Sequence, residues 1–298
     1  MEILDKKFEY DVVVADNKHQ IFVTTWKVAS MYLEQNFKNY IGNKHMFGDE
    51  NRVIQIDVGQ KNLQEAFSTK GNKGLVNTWN ELLDTNSKKK KIVFYRNPIN
   101  KFISAFFEDV MFNPYTQELM KQEKLRARKL YLEYYLKDNG FSIKEVTKIF
   151  DFLCSDEQGV GSFKDYSHPF SSTPLMTRFY KAIFEYEFEN YLKDSKKTKT
   201  GHNGPWLLFV YRLIAEKSFG KNTIFIDIDR QNLTEELQKH NCSFAEEAII
   251  SDIDKKINGR KPIFNKFMVE IVENKFKETL EALLYDEIVM YKLINQQS

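Results

Sequence analysis

The chain has 298 residues, with 44 Lys and Arg against 42 Asp and Glu and a formal net charge of +2. So even a balance excludes a coat of bulk basic charge for nucleic acid, and any anion site must come from local arrangement. Hydrophobic residues make 42% and charged residues 29%, and 25 Phe and 15 Tyr stand against 12 Gly and 6 Pro, a composition that predicts helices with bulky packing and excludes a disordered, collagenous or coiled-coil chain.

Met1 to Lys7 carries charges with no apolar stretch behind them, which predicts no secretory leader. Gln20 to Thr24 is an apolar run that reads as a buried first strand, and Val28 to Asn39 has the apolar spacing of an amphipathic helix. Arg52 to Val58 predicts a second strand, with helices over 63–67 and 76–83. Lys91 to Tyr95 predicts a third strand that runs into a helix reaching about Val110, with Asn97 as its N-cap and Pro98 in its first turn. The Lys88 to Lys91 run reads as a solvated strand entrance.

The middle of the chain is helical over 116–137 and 143–153, with a loop over 159–172 and an aromatic-rich helix over 175–192. A polar loop from Ser195 to Pro205 precedes a helix over 206–217, a fourth strand over 223–228, a helix over 233–239 and a helical tail over 264–294. Strands that alternate with helices predict an α/β fold with a mostly parallel sheet. No linker divides the chain, so one domain over 1–298 is expected, with a helical insertion at about 115–220. The best uncharged apolar run, Trp206 to Tyr211, is far short of a membrane span. Cys154 and Cys242 read as buried thiols in a reducing compartment. A soluble, cytoplasmic protein is the expectation.

In an open parallel sheet, ligands bind beyond the carboxyl ends of the strands. The first such end is Thr24-Thr25-Trp26-Lys27-Val28-Ala29-Ser30. A helix N-terminus there offers unpaired N–H groups and the positive end of its dipole to an anion. Lys27 adds a mobile charge and Ser30 a hydroxyl donor. The loop lacks G-x-x-x-x-G-K-[ST], which disfavours an ordinary ATP or GTP cradle. The second end is Tyr95 to Ser104. Arg96 faces the crevice with a planar fork suited to phosphate, and Ser104, two turns into the helix, offers a hydroxyl to the same anion. A structural ion bridge to Arg96 is the competing reading.

At these residues the chain resembles the sulfotransferases that use 3′-phosphoadenosine 5′-phosphosulfate, and is nearer their carbohydrate branch than their cytosolic small-molecule branch. Thr25-Trp26-Lys27-Val28-Ala29-Ser30-Met31 is similar to their 5′-phosphosulfate loop. Arg96-Asn97-Pro98 through Lys101-Phe102-Ile103-Ser104-Ala105-Phe106 is similar to their 3′-phosphate segment and is the more specific match. Gly201-His202-Asn203-Gly204-Pro205 resembles a His-bearing segment, and 223–229 with 233–237 resembles a late strand and helix. Lys256 to Pro262 resembles a basic loop that closes over the nucleotide. Met31 departs from the Thr or Ser of many members, which leaves backbone donors for the 5′-phosphate.

The resemblance implies a three-layer α/β fold, related in plan to P-loop nucleotide-binding folds. It implies transfer of a sulfuryl group from the phosphosulfate donor to an acceptor hydroxyl on a carbohydrate or other small molecule. Thr25, Trp26, Lys27, Val28, Ala29, Ser30, Met31, Arg96, Ser104, Arg260 and Lys261 are then the nucleotide ligands. Lys27 and His202 are the catalytic groups, with His168 and Asp57 as reserve bases. No metal is expected, since the histidines have no H-E-x-x-H or similar spacing, and the balanced charge and short apolar runs predict no nucleic acid and no membrane span. The alternatives are a nucleotide-binding protein of the same fold without catalysis, and a P-loop-like small-molecule kinase. Glu108 and Asp109 read as solvated face residues. Phe179, Tyr180, Phe184, Tyr186 and Phe188, at helical spacing, read as core rather than a sugar platform.

Overall fold

The structure, a computed structural model, describes residues 9–16, 20–25, 28–29, 54–57, 84, 86–107, 109, 133–153, 173–194, 203, 206–215, 222–240 and 266–297. The strands are β1 (Glu9–Asp16), β2 (Gln20–Thr24), β3 (Ile54–Asp57), β4 (Lys90–Tyr95) and β5 (Thr223–Asp227). The helices include Pro98–Phe106, Ile143–Leu153, Pro174–Lys193, Trp206–Ala215, Leu233–Lys239, Lys277–Leu283 and Tyr285–Gln297, with a π-helical turn at Val272–Phe276. The chain divides into two compact units, residues 1–102 with 195–249 and 279–298, and residues 103–194 with 250–278. The boundary falls within the Pro98–Phe106 helix, and Trp206–Ala215, expected within the insertion, clusters with the sheet.

The first unit is α/β. Its strands form one sheet in the order β3-β1-β2-β4-β5. β2, β4 and β5 are parallel, with Phe22 opposite Ile92 and Tyr95 opposite Asp227. β1 is antiparallel to both its neighbours, β2 and β3. Four of the five strands thus run in one direction, and β1, which was not anticipated, is the one reversed strand and makes the sheet mixed. Parallel strands covered on both faces read as continuous apolar runs, and every residue of β2 is buried, as are Lys91 to Tyr95. Phe22 and Phe94 stack with centroids 6.3 Å apart. Trp206 is buried and its indole N–H donates to the Phe94 carbonyl at 2.8 Å, which pins the start of Trp206–Ala215 to β4. Lys91 is 1% exposed and its ammonium donates to the Asp84 carbonyl at 2.5 Å. The lysine run is thus not wholly solvated, because the strand must bury its second residue.

The second unit is helical in its described residues. Gly140, at φ 79°, ends the helical turn at 133–138, a left-handed position that glycine adopts at least cost. Ser142 and Glu145 then form a capping box on Ile143–Leu153. The Ser142 N–H donates to the Glu145 carboxylate at 2.8 Å, and the Glu145 N–H donates to the Ser142 hydroxyl at 3.3 Å. Donation from the Ser142 N–H and hydroxyl, with Arg178 beside them, holds the Glu145 carboxyl below its usual range. The Thr173 hydroxyl caps Pro174–Lys193 by accepting from Met176 N–H at 3.3 Å. The helix buries Phe179, Tyr180, Phe184 and Phe188, while Tyr186 is half-buried. Phe188 meets Phe106 edge-on at 5.0 Å and Phe276 at 5.4 Å. Asp109 accepts the Tyr191 hydroxyl at 2.7 Å and is half-buried, so it is an anchored residue and not a solvated one. Among the described residues, no helix is long and apolar enough to cross a membrane.

Candidate functional site

Because β2, β4 and β5 run parallel, their C-terminal ends open onto one edge of the sheet. There Thr25 leaves β2, Arg96 leaves β4 and Ile228 leaves β5. β3 runs in the same direction and ends at Asp57. This edge is where ligands of parallel sheets collect.

The turn after β2 is tight. Val28 N–H donates to the Thr25 carbonyl at 3.2 Å, the Thr24 hydroxyl donates to the Val28 carbonyl, and Thr24, Thr25 and Val28 are buried. Ala29 follows at φ 59°. A left-handed alanine carries backbone strain of the kind that gathers at ligand sites. Trp26, Lys27, Ser30 and Met31 lie outside the described residues, as do His168, His202, Arg260 and Lys261.

The turn after β4 is built as its sequence dictates. The Asn97 side-chain oxygen accepts from Ile99 N–H at 2.9 Å and Asn100 N–H at 3.4 Å, and Pro98 opens the helix without needing a partner for its nitrogen. Arg96 lays its fork on Asp229, with Nη2 to Oδ1 at 2.7 Å and Nε to Oδ2 at 3.3 Å. The Asn97 backbone N–H joins Oδ2 at 2.9 Å. The ion-bridge reading of Arg96 is therefore realised, by an aspartate that sequence reading did not single out. The available signal was its place just past a parallel strand. Ser104 is buried on the Pro98–Phe106 helix.

Asp227 ends β5, 2% exposed. Its Oδ1 accepts the Asp229 N–H at 3.0 Å and its Oδ2 accepts the Tyr291 hydroxyl at 2.5 Å. Burial, and then donation to the Asp227 carboxylate, pushes the Tyr291 phenol well above its usual range. Arg230 lies 3.6 Å from Asp227 and reaches Asn295, which also accepts the Tyr95 hydroxyl at 3.1 Å. The C-terminal helix is thus tied to the ends of β4 and β5 through polar groups.

A second buried carboxyl is Glu287. It accepts the Leu208 N–H at 3.1 Å and the Leu207 N–H, capping Trp206–Ala215 from the C-terminal helix. Burial pushes it up to about 7, against the pull of Lys101 and of the two N–H donors. Lys101, the basic residue of the phosphate-helix pattern, is itself buried at 4% exposure, and its charge favours the Glu287 carboxylate. Among the described residues, no group of three or more His, Cys, Asp or Glu side chains is disposed to hold a metal ion.

At this edge the Arg96 and Asn97 donors converge on one carboxylate, that of Asp229. No protein-family model, curated protein or solved structure matches this chain.

Proposed function

We propose that the chain is a sulfotransferase that takes a sulfuryl group from 3′-phosphoadenosine 5′-phosphosulfate to an acceptor hydroxyl, on a carbohydrate or another small molecule, through a P-loop-like three-layer fold. The observation that carries the reading is the convergence, at the turn after β4, of Arg96 Nη2, Arg96 Nε and the Asn97 N–H on one carboxylate, that of Asp229. It lies on the sheet edge at which the Thr25–Ala29 turn leaves β2. Two anion-binding turns on one edge suit a nucleotide charged at both ends. The donor supplies an activated sulfuryl group; what the chain must supply is grip, alignment and proton handling.

Arg96 and Asn97 hold the 3′-phosphate end, with Ser104 adding a hydroxyl. The turn from Thr25 to Met31 holds the 5′ end with backbone donors, and Arg260 and Lys261 cover the nucleotide. Lys27 meets the negative charge that grows on the leaving oxygen, an interaction that gains strength only as the reaction proceeds. His202 takes the acceptor proton, a task suited to a side chain that titrates near neutral pH.

The test is thermal. Adenosine 3′,5′-bisphosphate raises the melting point and ATP raises it far less. Saturation at a hundredfold excess over Kd is worth about 2.7 kcal/mol. Arg96→Ala, each protein read against its own unliganded melt, loses the preference, since charged hydrogen bonds contribute about 1.5–3 kcal/mol. Equal shifts for the bisphosphate and ATP in the native protein refute the 3′-phosphate assignment.

A further inference from the structure

The pairing of Arg96 with Asp229 has a consequence for any ligand at this edge. Three donors, two from one guanidinium and one from the Asn97 backbone, are directed at a single carboxylate. A fork and a backbone N–H in that arrangement form an anion seat, since phosphate and carboxylate accept the same bidentate geometry. The Arg96 and Asp229 side chains are 18% and 16% exposed, so water and small ions reach the pair.

The backbone beneath Asp229 is fixed independently of its carboxylate. Asp229 N–H is held by Asp227 Oδ1 at 3.0 Å, Arg230 N–H by the Asp227 carbonyl at 3.2 Å and Ile228 N–H by the Tyr95 carbonyl at 2.9 Å. Asp227 is in turn held by Tyr291. The carboxylate can therefore rotate off the seat about its own side-chain bonds while the turn stays in place. A phosphate dianion and Asp229 cannot share the seat, because both are acceptors for the same donors and like charges repel.

We infer that Asp229 is an internal occupant of the anion seat made by Arg96 and the Asn97 N–H, which an incoming phosphomonoester must displace. The seat's occupancy by a built-in monoanion favours ligands that bring a dianion with several acceptor oxygens, and weakens every anion by the same competition. The identity of the nucleotide ligand rests on the function proposed above; the competition for the seat does not.

Calorimetric titration with inorganic phosphate, and separately with adenosine 3′,5′-bisphosphate, decides the matter at fixed ionic strength. The proteins are the native chain, Asp229→Asn, Asp229→Ser, Asp229→Glu and the double variant Arg96→Gln with Asp229→Asn, each checked for a native melt. Asp229→Asn and Asp229→Ser are expected to bind phosphate on the order of tenfold more tightly than the native chain. Asp229→Glu stays near the native affinity, and the double variant loses the gain. Unchanged or weaker phosphate binding in both neutral variants overturns the inference and makes Asp229 a residue that orients Arg96 or merely accompanies it. If phosphate behaves as expected but the bisphosphate binds no better than phosphate in any protein, the seat stands and the proposed function falls.

Discussion

Glu287 is enclosed by its own helix, by the first turn of Trp206–Ala215 and by Lys101, and each neighbour acts differently on its proton. Burial favours the neutral acid, while Lys101 and the Leu207 and Leu208 N–H groups favour the carboxylate; Asp286 adds a little repulsion. The balance raises the folded value from 4.5 to about 7. Between those values the folded chain binds more protons than the unfolded one, so this group's contribution is complete below about 4.5 and is lost as pH climbs through about 7. Glu287→Gln keeps the shape and the acceptor oxygen but cannot titrate. The stability difference between the native protein and Glu287→Gln, from urea unfolding, is expected to favour the native protein more at pH 5 than at pH 8. A difference that does not move with pH shows that Glu287 keeps one protonation state across that range.

At the scale of an element, the turn after β2 concentrates strain. Thr24, Thr25 and Val28 are buried and hydrogen-bonded around it, and Ala29 follows at φ 59°. A left-handed alanine costs roughly 1–2 kcal/mol, and a glycine there returns part of that as unfolded-state entropy. Ala29→Gly is expected to raise stability by about 0.5–1 kcal/mol, and Ala29→Val, whose branched side chain fits the left-handed region worst, to lower it. Loss of stability on Ala29→Gly in denaturant unfolding shows that the turn is relaxed. The helix after β4 shows the opposite economy. Asn97 caps two N–H groups and Pro98 occupies the one position where its missing donor costs nothing. Asn97→Ala removes the cap but keeps the backbone N–H that Asp229 accepts, so it is expected to cost about 1 kcal/mol of stability while leaving phosphate affinity within about twofold. A change beyond that twofold shows that cap and seat are linked.

At the scale of the molecule, each unit has its own source of stability. The sheet unit rests on the buried runs of β2 and β4 with Trp206 pinned to Phe94. The helical unit rests on aromatic packing, in which Phe188 is fully buried between Phe106 and Phe276. Surface pairs such as Lys181 with Glu270, about half-exposed, add little. Phe188→Ala leaves a buried cavity among aromatic rings, and is expected to cost about 3–5 kcal/mol. Unfolding followed by far-ultraviolet circular dichroism measures it. A loss below about 1 kcal/mol shows that the aromatic packing is not what holds this unit together.

The sequence by itself determined the local pieces. The apolar runs of β2, β4 and β5, the 143–153 and 233–239 helices, the Asn97-Pro98 start and the buried aromatics of Pro174–Lys193 follow from periodicity, capping and burial, which act over a few residues. The phosphate-seat candidate Arg96 was legible for the same reason, as an arginine at a strand end. Tertiary structure alone decided what faces what. β1 carries a local strand signal in Val12-Val13-Val14, but its reversed place between β2 and β3 comes only from pairing across the sheet. Lys91 and Lys101 are interior although lysine runs and basic motif positions read as exposed, because their elements are enclosed where they stand. Asp229 meets Arg96 across 133 positions of sequence. That meeting requires β4 and β5 to lie side by side and parallel, with Tyr95 opposite Asp227. Register of that kind is set by the whole packed sheet, since a parallel pair must be joined through a long crossover whose ends carry no local signal of each other.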